Sequence, residues 1–139
     1  MMKAIVCEQY GPPKTLKLKD VEELRPKRKE VLVKVKACGV NFPDTLIIQG
    51  LYQFKPDLPF TPGSDIAGYV KEVGPEVTHL KKGDEVFGFV MHGGFAEEVV
   101  VPASACFKKP SLMDFPIAAS FMMAYGTSYF ALKNRAGLK

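Results

Sequence analysis

The sequence contains no tryptophan, only two histidines and only three cysteines in 139 residues. It also lacks any apolar run near the roughly 20 residues that a membrane-spanning helix requires. Each shortage excludes something. Cys7, Cys38 and Cys106 are widely spaced and odd in number, so they make no disulfide framework and suit a reducing compartment. His79 and His92 each stand alone beside a turn, which marks surface residues rather than paired metal ligands. The N-terminal stretch lacks the charged, apolar and small-residue order of a signal peptide, so the expectation is a cytoplasmic protein that does not engage a membrane. There is no G-x-G-x-x-G and hence no turn built to hold a dinucleotide pyrophosphate at a helix N-terminus. Repeats and low-complexity tracts are absent as well.

What is present is a period of two. Lys3 to Cys7, Thr15 to Lys19, Val31 to Cys38, Ile66 to Val73, Glu85 to Val90 and Phe95 to Val101 read as strands rich in Val, Ile, Phe and Tyr. Gly11-Pro12-Pro13, Gly74-Pro75, Lys82-Gly83-Asp84 and His92-Gly93-Gly94 supply the turns between them. So many short strands in one domain-sized chain must close on themselves to bury one face each. The expected fold is therefore mainly β: a partly open barrel with short helices and a C-terminal helical segment. The net charge of +4 comes largely from lysines alternating with apolar residues, the pattern of a solvated strand face. The dense run Arg25-Pro26-Lys27-Arg28-Lys29 lacks interleaved aromatics, and no nucleic-acid partner is expected.

Two stretches leave the strand period. Asn41 to Gly50 has a capping residue at its start, Pro43 in its first turn and Gly50 where a left-handed stop fits, which predicts a short helix. From Asp114 the apolar spacing becomes helical through Ile117, Phe121, Met122, Tyr125, Tyr129 and Leu132, with Gly137 as a stop and an interruption expected near Gly126.

The order V-K-A-C-G-V-N-x-x-D, I-I-Q-G-L-Y, L-P-F-T-P-G-S-D-I-A-G-Y-V-K-E-V-G, K-K-G-D-E-V and H-G-G-F-A-E-E-V-V-V-P covers nearly the whole chain. It resembles the N-terminal half of the medium-chain dehydrogenase/reductase superfamily, in particular its zinc-independent quinone oxidoreductase, or zeta-crystallin-like, branch. The resemblance implies a GroES-like catalytic domain over residues 1–115. Residues 116–139 would then be a helical segment leading to a nucleotide-binding domain that these residues do not include. It further implies NADP as cofactor, held mainly by that other domain, and a quinone or conjugated enone as small-molecule substrate. Relatives of this kind often form homodimers, largely through the nucleotide-binding domain.

The resemblance also locates candidate site residues. Zinc-dependent members supply a cysteine where this chain has Asn41 and a Gly-His-Glu where it has Gly63-Ser64-Asp65. Asn and Ser are poor replacements for zinc ligands, so no metal site is expected. Asn41 is expected to face the nicotinamide ribose or the substrate, although a helix cap would need the same residue type. Tyr52 matches the tyrosine that related enoyl-thioester reductases use as a proton donor; a loop-rim aromatic is the plainer alternative. Asp44 and Thr127 complete the expected cofactor contacts, against the plainer readings of a first-turn acid and a helix threonine bonding its own backbone. Gly63, Gly68, Gly74 and Gly83 read as backbone requirements of turns and corners, and Cys38 as a strand residue. The competing functions are an enoyl-thioester reductase of the same superfamily and a non-catalytic GroES-like binding domain.

Overall fold

A computed structural model describes all residues, 1–139. The strands are β1 (Met2–Val6), β2 (Lys17–Val21), β3 (Glu30–Gly39), β4 (Asp65–Val73), β5 (Glu85–Phe89), β6 (Glu98–Pro102) and β7 (Cys106–Lys108). The short helices are α1 (Phe42–Ile47) and α2 (Phe115–Ala118), and a helical tail then runs through residue 135. β1 and β2 pair with each other, and the remaining strands form one antiparallel sheet in the order β6-β3-β4-β5-β7.

Chain connectivity forces that sheet to curl. β6 and β7 lie at opposite edges, yet only the 3-10 turn Ala103–Ala105 joins them. A flat sheet of this order would separate its edge strands by about 19 Å, from four spacings of about 4.8 Å. The linking residues reach at most about 14 Å. The sheet must therefore bend toward closure without completing it, which is the partly open barrel. Val31, Val33, Ile66, Val70, Val86, Val99, Val101 and Cys106 fill its concave side, with Leu80 and Val90 added from the connecting loops. The β1–β2 pair is attached by bridges from Ala4 to Ala96 and from Cys7 to Phe60.

Three expected elements differ. Thr15 belongs to a 3-10 turn, Pro13–Thr15, because Pro13 fixes a helical φ and cannot donate to a ladder. Phe95 and Ala96 precede β6; the Phe95 carbonyl accepts the Ile5 N–H at 2.8 Å, so this segment serves β1 rather than the main sheet. β7 was not expected, since three residues carry too little periodicity to identify.

The tail also differs from a simple helix. Asp114 caps α2 as expected, its carboxylate accepting the Ile117 N–H at 2.8 Å. Gly126 does not interrupt the tail: its φ of −61° and ψ of −45° continue the helix, in which residues 122–126 and 130–135 are wound as wider π turns. The chain leaves the helix at Gly137, where φ is +65°. Phe121, Tyr125 and Tyr129 are exposed along it, while Met122 is half-buried.

Two glycines are required for different reasons. Gly63 has a φ of +95°, in the left-handed region. Gly68 lies in β4 opposite Val35, beside a register shift between Val35 and Ala37, and a side chain there would overlap the Lys34 carbonyl oxygen. Gly68→Ala is expected to lower unfolding stability by about 2 kcal/mol or more, because the backbone neighbour cannot move aside cheaply. Urea unfolding monitored by far-UV circular dichroism measures this, and an unchanged midpoint would contradict the close approach.

Candidate functional site

The residues expected to carry chemistry cluster where β3 ends and β4 begins. Antiparallel register places Gly39 opposite Asp65, so the residue leaving β3 and the residue entering β4 are neighbours. Two residues beyond Gly39, Asn41 caps α1. Its backbone N–H donates to the Asp44 carboxylate Oδ2 at 2.8 Å, and the two residues face each other as a reciprocal capping box. The Asn41 side chain turns back toward the sheet, where Nδ2 donates to Asp65 Oδ2 at 3.3 Å.

Asp44 and Asp65 are both buried, and in each carboxylate Oδ1 makes no hydrogen bond. Desolvation raises the pKa of both carboxyls. For Asp44 this is partly offset by the Asn41 backbone and by the Gly63 and Ser64 dipoles nearby. For Asp65 it is partly offset by the Met123 backbone and the Asn41 amide, while the Asp44 charge adds to the upward shift. Beside them Cys38 is held as a thiol: burial, reinforced by both acids, pushes its pKa up to about 12.

The other two expected residues stand apart. Tyr52 packs its ring on the small apolar cluster of Cys7, Ile47, Ile48 and Phe60, which is separate from the barrel core. No hydrogen bond joins it to Asn41 or to Asp65. Thr127 lies exposed on the C-terminal helix, its hydroxyl 3.9 Å from the Met123 sulfur. It borders a hollow of about 560 Å³ that Phe89, Phe107, Met122, Met123 and Phe130 also line. The structure thus brings Asn41 and Asp44 together and leaves Tyr52 and Thr127 outside their hydrogen-bond network. A larger cleft of about 660 Å³ opens between the β1–β2 pair, the 56–61 loop and His92, and contains none of the expected residues.

Asp65 was not among the residues singled out from sequence. The available signal was an acid at the start of an otherwise apolar strand, a position that costs free energy unless its charge finds partners. His79 and His92 are exposed, as expected; His92 stacks on Phe54 at 6.0 Å between ring centroids.

Known proteins share this architecture. The chain is 45% identical over 99% of its length to "Quinone oxidoreductase-like protein 2 homolog" of Nematostella vectensis, and spans 38% of that protein. It is 41% identical over its full length to the quinone oxidoreductase of Homo sapiens, of which it spans 43%. Among solved structures it superposes with a TM-score of 0.93 on a mycobacterial protein complexed with NADPH, at 35% identity, covering all of this chain and 43% of that one. The family described as the alcohol dehydrogenase GroES-like domain matches residues 27–111. The chain therefore belongs to the alcohol dehydrogenase GroES-like domain family, within an oxidoreductase superfamily.

Proposed function

We propose that this chain is the substrate-side domain of an NADPH-dependent quinone oxidoreductase that transfers a hydride to a quinone or conjugated enone without zinc. In this reading residues 1–115 form the catalytic domain and residues 116–139 lead into a nucleotide-binding domain. The carrying observation is the environment of Asn41. Its backbone N–H is held by Asp44 of α1 and its side-chain Nδ2 donates to Asp65, in a position where zinc-dependent relatives place a metal-binding cysteine. After that bond the side-chain amide keeps one N–H and its carbonyl oxygen, which suits a ribose hydroxyl or a carboxamide. The residues present fit the nicotinamide end of the cofactor only, and the pyrophosphate would be held by the other domain.

A zinc-free reading is supported by the neighbouring donors. Asn41 and Ser64 stand where zinc-dependent relatives place a cysteine and a histidine, and neither an amide nor a hydroxyl is a good zinc ligand. Without a Lewis acid to polarise a carbonyl, an acceptor that is already electron-poor is required.

NADPH supplies the hydride when bound. Asn41 orients the nicotinamide end, with Asp44 fixing Asn41 through the capping box, and Thr127 contacts the same end from the C-terminal helix. Tyr52, anchored by its ring on Ile47, Ile48 and Phe60, offers a hydroxyl with no hydrogen bond inside the chain and serves as proton donor to an enone. A quinone takes its proton from water as readily. The exposed Phe121, Tyr125 and Tyr129 provide apolar surface for the adjoining domain.

Steady-state assays of this chain joined to a nucleotide-binding domain test the assignment. Phenanthrenequinone should be reduced with NADPH, and turnover of crotonyl-thioester alone would replace the quinone reading by an enoyl-thioester reductase. Asn41→Ala should raise KM for NADPH by about 10-fold, the effect of one polar contact. Tyr52→Phe should lower kcat with an enone by about 100-fold and leave quinone turnover nearly unchanged.

A second measurement addresses the thiols. With a pKa of about 12, Cys38 is ionised at pH 8 to only roughly one part in 10,000. Cys106, pushed up to about 12 by burial, behaves alike, and burial also raises Cys7. Reaction of the native chain with a disulfide reagent should proceed with no fast phase until denaturant is added. Rapid labelling that peptide mapping assigns to Cys38 would contradict this electrostatic picture.

A further inference from the structure

One carboxylate oxygen ties two distant parts of the candidate site together. Asp65 Oδ2 accepts the Asn41 Nδ2–H at 3.3 Å and the Met123 backbone N–H at 3.0 Å. Asn41 opens α1, whereas Met123 lies in the first π turn of the C-terminal helix, four residues before Thr127. We propose that Asp65 is a positioning residue: it clasps Asn41 and the C-terminal helix together, so that the orientation of the Asn41 amide and the seating of the helix carrying Thr127 depend on each other.

Packing independently brings the helix within reach. Ala118 and Ala119 bury against Ala67, Ala37 and Phe87, and a side chain at Gly39 would lie 2.5 Å from the Ala119 carbonyl oxygen. The chain therefore leaves α2 pressed onto the ends of β3 and β4, and a buried acid at the start of β4 meets the next free backbone N–H. An N–H in the first turn of a helix has no partner from the helix itself, so an external acceptor is worth most there. The Asp65 acceptor is also selective. Nδ2 of Asn41, not its oxygen, must face the carboxylate, which fixes the amide in one of its two orientations. Oδ1 of Asp65 makes no hydrogen bond, so both contacts rest on Oδ2.

The consequence is a coupling between contacts that are far apart in sequence. A ligand that engages Asn41 finds the helix with Thr127 already seated, and one that draws the helix away leaves Asp65 Oδ2 with the Asn41 amide as its one hydrogen-bond donor. This inference rests on the cofactor role of Asn41 only for its catalytic consequence; the clasp itself is a property of the chain alone.

Amide hydrogen exchange measured by NMR on the 139-residue chain provides the test. Asp65→Leu, which keeps the branched shape of the side chain and removes the acceptor, should speed exchange at the Met123 amide by at least about 10-fold. Ile66 and Val70 in β4 should be unaffected. Asp65→Asn, whose amide oxygen replaces Oδ2, should retain most of the protection. Unchanged exchange at Met123 in Asp65→Leu, or equal loss in both variants, overturns the proposal. If Asp65→Leu does not fold, the wild-type chain decides: a through-hydrogen-bond coupling between Met123 ¹⁵N and the Asp65 ¹³Cγ is expected, and its absence overturns the clasp. In the chain joined to a nucleotide-binding domain, Asn41→Ala with Asp65→Leu should raise KM for NADPH by less than the product of the two single effects, and fully additive effects count against positioning. Should Asn41→Ala leave that KM unchanged while Met123 exchange still responds to Asp65→Leu, the clasp stands and the cofactor role of Asn41 fails.

Discussion

The register of β3 against β4 is the constraint on which everything else depends. Val31 pairs with Val73 at one end and Gly39 with Asp65 at the other, with shifts near Val33 and Val35 that bend the pair. Those shifts turn an antiparallel ladder into the wall of a barrel, since an extra residue on one strand increases local twist. Gly68 admits the bend because nothing larger fits beside the Lys34 carbonyl. A slip of one residue would send Val31, Val33, Ile66 and Val70 out of the core and would separate Asn41 from Asp65 at the same time. Core and candidate site are thus set by a single alignment.

The candidate site trades stability for organisation. Two buried acids and a half-buried thiol lie within one small region, and the acids' hydrogen bonds come from dipoles rather than from cations: the N-terminus of α1, the Asn41 amide and the Met123 N–H. Buried acids held this way are stiff, because each hydrogen bond lost leaves an unpaired oxygen in a medium poor in water. Stiffness of that kind suits a residue whose task is to hold an amide in one orientation. Burial and the charges of the same two acids hold Cys38 as a thiol.

Much of this was legible in the residues. The strands β1, β3, β4 and β5 arise from alternation of Val, Ile and Phe with lysine and glutamate, and α1 arises from the Asn41, Pro43, Asp44 and Gly50 pattern. Elements whose formation depends on a distant partner were not legible. Phe95 and Ala96 have strand character but pair with β1 instead of extending β6, a choice made by the bridge to Ala4. β7 exists because β5 offers an edge to Cys106–Lys108, and Gly126 remains helical because its neighbours carry it through.

For the site, the sequence by itself determined which groups are available: an amide at position 41, an acid three residues on to cap it, and a second acid at the head of an apolar strand. These come from residue type and local spacing, where hydrogen-bond reach is short and turn chemistry is restrictive. Only the tertiary structure decided that Asn41, Asp65 and Met123 share one carboxylate oxygen, and that Tyr52 and Thr127 stand outside that network. Contacts between residues 24 and 58 positions apart depend on sheet register and helix docking, which are properties of the packed whole and not of any stretch of sequence.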